Sequence, residues 1–511
     1  MRRREAATVQ PVATRRSGTP IPVVERPATG WLVALAGVSF VAHMLVAGNY
    51  GYFRDELYYI ADGHHLQAGY VDQPLLMGWL AALLRVTGGD SLVAIHIVPA
   101  LACALLVVLT GLMARELGGD QVAQIVAGVA ALFTLDFMAT GSLFSMDVLD
   151  QLWWTLASLI LLRLLRRDAP RLWLLIGLVV AVALLTKLTI LFFGLGLLLA
   201  LLVTPARRYL RTPWPWVAAA IAVVGLLPDL LWNAVNGWPT VEFYHHYSGA
   251  GSTVPLAFFA AQFGQMNPLA VPLAAAGLIF YVRRTGARYR LLGWTFLFVY
   301  VLLTILRTKP YFLAPAYPIL FAAGAVVVER LRLRPRLVWI RPAYVALLAL
   351  AGILLAPDVM PILPPATTAR AYGSLQQVLA DRLGWENLTR TVERVYAALP
   401  PAQRAQACVL TSNYGEAGAL QLFGQPGRLP PVINGHNNYY VWGPGRCTGQ
   451  VLIGVGFALA DIRHTYAHTT LAATQRCRYC VSFEQDLPIV VGFNPRIPNP
   501  LRLWPAVKHY D

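Results

Sequence analysis

The run Arg54-Asp55-Glu56, with Tyr58 and Tyr59 behind it and Asp72-Gln73 further on, holds the residues of this chain best suited to chemistry. A carboxylate can take a proton from an attacking hydroxyl, and a neighbouring cation can stabilise a departing anion. The run directly follows a long apolar segment, where charge is costly unless it does work or faces water. Asp55 and Glu56 are neighbours, so their side chains diverge by about 100° on a helix or point to opposite faces of a strand. They cannot both face one acceptor, and the plain alternative for the pair is a solvated loop.

Other groups stand at comparable boundaries. Asp147 and Asp150 are three apart at a helix start and share a face. They read either as a second catalytic or metal-touching carboxylate, with Asp147 the better placed, or as helix capping by Ser145 and Asp147. Lys187, Arg307 and Lys309, with Tyr311 just beyond, are candidates for binding an anion, against the alternative of interfacial snorkelling. His64-His65 and His245-His246 are adjacent pairs whose rings point apart, which suits polar interface roles better than metal ligation. No glycine-rich nucleotide loop is present, since Gly88-Gly89 and Gly118-Gly119 are isolated turn signals.

Composition identifies what must position these residues. With 57% hydrophobic and 13% charged residues, the chain falls well below the charged share of about a quarter found in soluble proteins. It reads as a polytopic α-helical membrane protein. The net charge of +16 comes largely from arginine clusters between apolar runs, which argues for topology and against nucleic acid. Spanning-length runs lie near 31–49, 91–113, 121–139, 148–165, 172–186, 188–204, 214–234, 268–282, 291–306, 313–329 and 338–356. That predicts about 11 to 13 transmembrane helices, the weak points being 172–186, 268–282 and the apolar part of 235–267. Residues 1–30 read as a disordered cytoplasmic tail and 31–356 as the membrane domain. Arginines at 163–171, 207–211, 283–290 and 330–336 fall on one side, with the tail. Arg54, Arg85, Lys187, Arg307 and Lys309 fall on the other. The positive-inside rule then puts the N-terminus in the cytoplasm and the C-terminus outside a plasma membrane.

From about 357 the apolar runs stop. Residues 357–511 predict a small extracytoplasmic α/β domain, helical over 375–399 and 415–423, with strands at 407–411, 451–455 and 489–493. The loops 412–418 and 434–440 follow strands and carry amides and aromatics suited to sugar hydroxyls, although turn chemistry explains much of that content. Cys408, Cys447, Cys477 and Cys480 lie in this domain, an even number that suggests two disulfides in an oxidising compartment, with a redox-active pair or half of a zinc site as the alternative for Cys477-Arg478-Tyr479-Cys480. Cys103 lies within a span and reads as packing.

Several of these motifs together carry a resemblance. Arg54-Asp55-Glu56-Leu57-Tyr58-Tyr59, Tyr70-Val71-Asp72-Gln73-Pro74, Ser145-Met146-Asp147, Leu185-Thr186-Lys187 and Lys309-Pro310-Tyr311-Phe312-Leu313-Ala314-Pro315 resemble the membrane glycosyltransferases of family 39. Protein O-mannosyltransferases and the aminoarabinose transferase of lipid A belong to that C-type superfamily. The resemblance covers about 31–445. It implies transfer of a sugar from a polyprenyl-phosphate donor to a glycan, lipid or protein acceptor outside the membrane, with Asp55 as base. Glu56 would then organise the site by pairing with a cation. Arg54, Tyr58, Tyr59, Asp72, Gln73, Lys187, Arg307, Lys309 and Tyr311 would line the substrates. Where many relatives have Lys-Pro-Pro this chain has Gln73-Pro74-Leu75, so the phosphate must be held by other cations, foremost the Arg307–Lys309 turn. A divalent cation is left open. The rival reading is a transporter or binding protein for lipid-linked sugars that lacks the chemistry.

Overall fold

A computed structural model describes residues 27–247, 254–332 and 334–510. The predicted tail therefore lies almost wholly outside the described residues. The membrane part runs α1 (Thr29–Val46), α2 (Arg54–His64), α3 (Leu76–Gly88), α4 (Leu92–Glu116), α5 (Gln121–Leu132), α6 (Leu135–Thr140), α7 (Met146–Arg167) and α8 (Trp173–Leu184). It continues through α9 (Ile190–Val203), α10 (Trp214–Val235), α11 (Pro239–Tyr247), α12 (Pro255–Met266), α13 (Val271–Val282), α14 (Arg290–Ile305), α15 (Tyr317–Arg330) and α16 (Ile340–Val359).

Each of the eleven apolar runs carries a helix. Among the described residues, seven are long and apolar enough to cross a membrane unbroken, and two further helix pairs are bent by 107° and 101°. The run at 121–139 divides into α5 and α6 at Thr134, whose backbone is extended (φ −75°, ψ 120°) rather than helical. The polar run after α1, which reads as a loop in the sequence, is the helix α2. α7 and α15 are almost wholly buried at the centre, whereas α1, α10 and α16 present apolar faces outward, as lipid contact requires. Helices α13 and α15 cross at very close range. A methyl group on Gly277 would come within 2.0 Å of Leu320 O, and one on Gly324 within 2.0 Å of Leu273 O, so both crossing points need glycine.

The arginine clusters converge at one end of the bundle. Glu116 receives Arg163 and Arg166, each at 3.0 Å, Arg288 donates to Leu165 O at 2.9 Å, and Arg330 to Gly118 O at 2.9 Å. The C-terminal domain sits at the other end, on α2. Its five-stranded sheet has the order β2-β1-β3-β5-β4, with β1 (Ala407–Thr411), β2 (Val432–Asn434), β3 (Val451–Val455), β4 (Tyr466–Gln475) and β5 (Leu487–Pro495). β1 is parallel to β2 and β3, and β5 is antiparallel to β3 and β4. Disulfides join Cys408 to Cys447 and Cys477 to Cys480. Cys103 is free and buried, 3.6 Å from the Ser39 hydroxyl.

Candidate functional site

The N-terminus of α2 sorts its two carboxylates by direction. Glu56, at the third helical position, accepts from the Phe53 amide at 2.8 Å and so satisfies one of the free N–H groups of the first turn. It points inward, is fully buried, and also accepts from His96 Nε2 (2.8 Å) and the Phe144 amide (2.7 Å). Burial alone would raise its pKa. His96, the Arg382 charge and the amide overcome that and hold it below the ordinary carboxylate value. Asp55, one residue earlier, points to the other side, where 30% of its side chain stays exposed. The Tyr414 hydroxyl donates to its Oδ1 at 2.7 Å, and Arg54 Nε lies 3.7 Å from the same oxygen.

Arg54 is enclosed by the C-terminal domain. It lies 3.8 Å from Asp381 and stacks over the rings of Tyr414 (5.5 Å) and Phe483 (5.4 Å). Its charge is thus turned toward acidic and aromatic neighbours. Tyr58 donates to Asp72 Oδ1 at 2.9 Å and stacks on Tyr414 at 4.6 Å. Burial, opposed by the Tyr58 bond, pushes Asp72 up to about 6. The buried Tyr59 hydroxyl is raised well above its ordinary value by desolvation and by the carboxylates of Asp55, Asp72 and Asp147. Tyr59 thus stands within the field of all three acids.

Gln73 is 2% exposed, and its amide nitrogen donates to Asp62 at 2.7 Å. Asp62 is itself fully buried and also receives Asn438 Nδ2 at 2.9 Å. Gln73, expected to line the substrates, therefore serves an internal network, because its amide is buried against Asp62. Asp147 opens α7 and pairs with Lys187, which sits at the break between α8 and α9. Lys187 Nζ lies 4.7 Å above the Phe312 ring and 5.4 Å above Tyr311. Asp150 does not share this role. It turns into the bundle, accepting from Thr189 (2.7 Å) and Trp154 (3.0 Å). Ser145 makes no capping bond with its side chain. Lys309 is half-buried before the turn Pro310–Ala316, and Arg307 is exposed at the end of α14. His64 lies 3.5 Å from Asp90, and His65 stacks on Trp442 at 4.1 Å. Among the described residues, no three metal-ligating side chains gather.

The sequence singled out the loops at 412–418 and 434–440 but assigned no partner to Tyr414 or Asn438. They follow β1 and β2, adjacent parallel strands, so both loops emerge at the carboxyl ends of those strands and face α2. His96, Asp381 and Arg382 passed unnoticed. Arg382 is fully buried and donates to Ser142 O at 2.7 Å, and burial pulls it down to about 10 against the pull of Glu56. An arginine in a domain with ordinary charge gives no local sign of such a position.

Residues 72–232 match the family model described as dolichyl-phosphate-mannose-protein mannosyltransferase. The match begins beyond Arg54-Asp55-Glu56. The lipid A galacturonosyltransferase RgtD of Rhizobium johnstonii is 30% identical over 293 residues, 55% of this chain, and the matched part spans 61% of that protein. The crystal structure of ArnT from Cupriavidus metallidurans bound to undecaprenyl phosphate superposes with a TM-score of 0.60 at 15% identity, over 93% of this chain and 99% of ArnT. Its apo form gives 0.59 at 16% identity, over 91% and 98%. The chain is a multi-pass membrane protein with the fold of the C-type glycosyltransferases.

Proposed function

We propose that the protein transfers a sugar from a polyprenyl-phosphate donor to an acceptor hydroxyl outside the cytoplasmic membrane. The observation that carries this reading is the unequal state of the carboxylates. Glu56, Asp62 and Asp150 are spent in internal hydrogen bonds, while Asp55 and Asp147 keep 30% and 27% of their side-chain surface and both act on Tyr59. A cation, Lys187, stands beside the second. In this reading the acceptor oxygen attacks the anomeric carbon, and the carbon–oxygen bond to phosphate breaks with its electron pair passing to the phosphate. Asp55 takes the acceptor's proton, and Lys187, with Lys309 and Arg307, offsets the charge on the departing phosphate. The undecaprenyl phosphate bound by ArnT supports a lipid carrier of this chemistry.

Donor binding tests the placement of the phosphate. A charged hydrogen bond contributes about 1.5–3 kcal/mol, so Lys187→Ala should weaken binding of a polyprenyl-phosphate sugar by about tenfold or more. Unchanged affinity in that variant and in the Arg307/Lys309 double alanine variant would reject these cations as the phosphate site.

The sidedness is a second part of the proposal: N-terminus in the cytoplasm, C-terminal domain outside. The arginines gathered at the end opposite that domain support it. After mild reduction of intact cells, an impermeant thiol reagent should label Cys477 and leave the cysteine of an Arg208→Cys variant unlabelled. The reverse pattern would overturn the orientation and remove the reason for a lipid-borne donor.

A further inference from the structure

We infer that Tyr414, from the C-terminal domain, is a positioning residue for the Asp55 carboxylate, so that the two domains build one active centre. The inference rests on Asp55 acting as the base. Its core is the geometry of the contact: the Tyr414 hydroxyl meets Asp55 Oδ1 at 2.7 Å, and Arg54 lies nearest the same oxygen. Both contacts fall on Oδ1. Among the described residues Oδ2 accepts no hydrogen bond, and it is the oxygen left to receive a proton. A half-exposed aspartate has free rotation about two bonds, and a hydrogen bond at one oxygen removes most of that freedom.

Tyr414 is itself held. Its ring lies between Tyr58, 4.6 Å away at 27°, and His436, also 4.6 Å away. Burial and the Asp55 charge keep its hydroxyl protonated far above neutral pH, so it acts as a donor. The helix that it opens, Tyr414–Phe423, lies directly on α2. A methyl group on Gly415 would come within 2.4 Å of Arg54 Cγ, and one on Gly418 within 2.8 Å of Leu57 Cβ and 2.9 Å of Leu57 O. Both glycines are needed for this approach. Asn438 fixes the register from the next loop by donating to Asp62 at 2.9 Å and accepting from the Val71 amide at 2.8 Å. Two anchors from neighbouring loops thus set the Tyr414 hydroxyl against α2.

The test is Tyr414→Phe in the full-length protein, which keeps both ring contacts and removes only the hydroxyl. The expected result is a fall in kcat of about tenfold or more, with the donor KM and the unfolding temperature unchanged. An unchanged kcat overturns the inference. So does a rise in KM at constant kcat, which would mark a substrate contact, or a loss of activity matched by a lowered unfolding temperature, which would mark a structural role. Asp55→Asn run alongside separates the two levels of the argument. If that variant is inactive while Tyr414→Phe behaves as the parent, only the positioning role falls. If Asp55→Asn retains full activity, the assignment of the base falls and the inference with it.

Discussion

Replacing Asp55 by asparagine should abolish transfer while leaving expression, thermal stability and donor binding at the level of the parent. The side chain keeps its shape, and asparagine Oδ1 can still accept from Tyr414, so only the ability to take a proton is lost. General-base catalysis contributes about 10²–10⁴ in rate, and the deficit should fall in that range. Measured transfer from a synthetic polyprenyl-phosphate sugar decides the matter, and a rate within twofold of the parent would exclude Asp55 as the base. Asp147→Asn is the natural control, because Asp147 is the other accessible acid of the site and is already paired with Lys187.

The second large effect comes from the adjacent residue and takes a different form. Glu56→Ala should damage the fold rather than the chemical step. It would leave His96 Nε2 and the Phe53 and Phe144 amides, all now bonded to Glu56, without that partner, although His96 Nδ1 keeps its contact with Ala47 O at 2.8 Å. Removing one member of a buried charged network costs about 3–5 kcal/mol. The variant should therefore show a lowered unfolding temperature in detergent and poor yield, and its activity should fall with its folded fraction. Parent-like stability would mean that the Glu56 network is not what holds the start of α2. The same network predicts a pH dependence. Glu56 is held below the ordinary glutamate pKa, so its contribution to stability is complete above about pH 4.3, the unfolded value, and is lost as pH falls through the lower folded value. Acid unfolding of the parent should carry this component, and Glu56→Gln should lack it.

These two neighbours show where local information ends. That Asp55 and Glu56 diverge follows from the geometry of any regular backbone. Which of them faces the open site and which the bundle depends on where His96 and Phe144 arrive, 40 and 88 positions away in the chain. Gln73 is a comparable case. The sequence shows an uncharged amide there, but only packing reveals that it is committed to Asp62. Asp147 and Asp150 share a helical face by spacing, and the break that carries Lys187 and Thr189 nonetheless splits them between the site and the interior.

By itself the sequence determined the membrane class, the helical character of the eleven apolar runs, the presence of a small C-terminal α/β domain, and the strands Ala407–Thr411 and Val451–Val455. Runs of apolar residues must bury their backbone polar groups in helices when the solvent is lipid, and alternation or continuity of β-branched residues marks strands, so these features follow from neighbours in the chain. The tertiary structure decided which carboxylates remain available, that Arg54 is enclosed by acids of the other domain, and that Tyr414 reaches Asp55 across 359 positions of sequence. Such pairings arise from the docking of one folded unit on another. No periodicity encodes them, because the contact energy depends on surfaces that exist only once both units have formed.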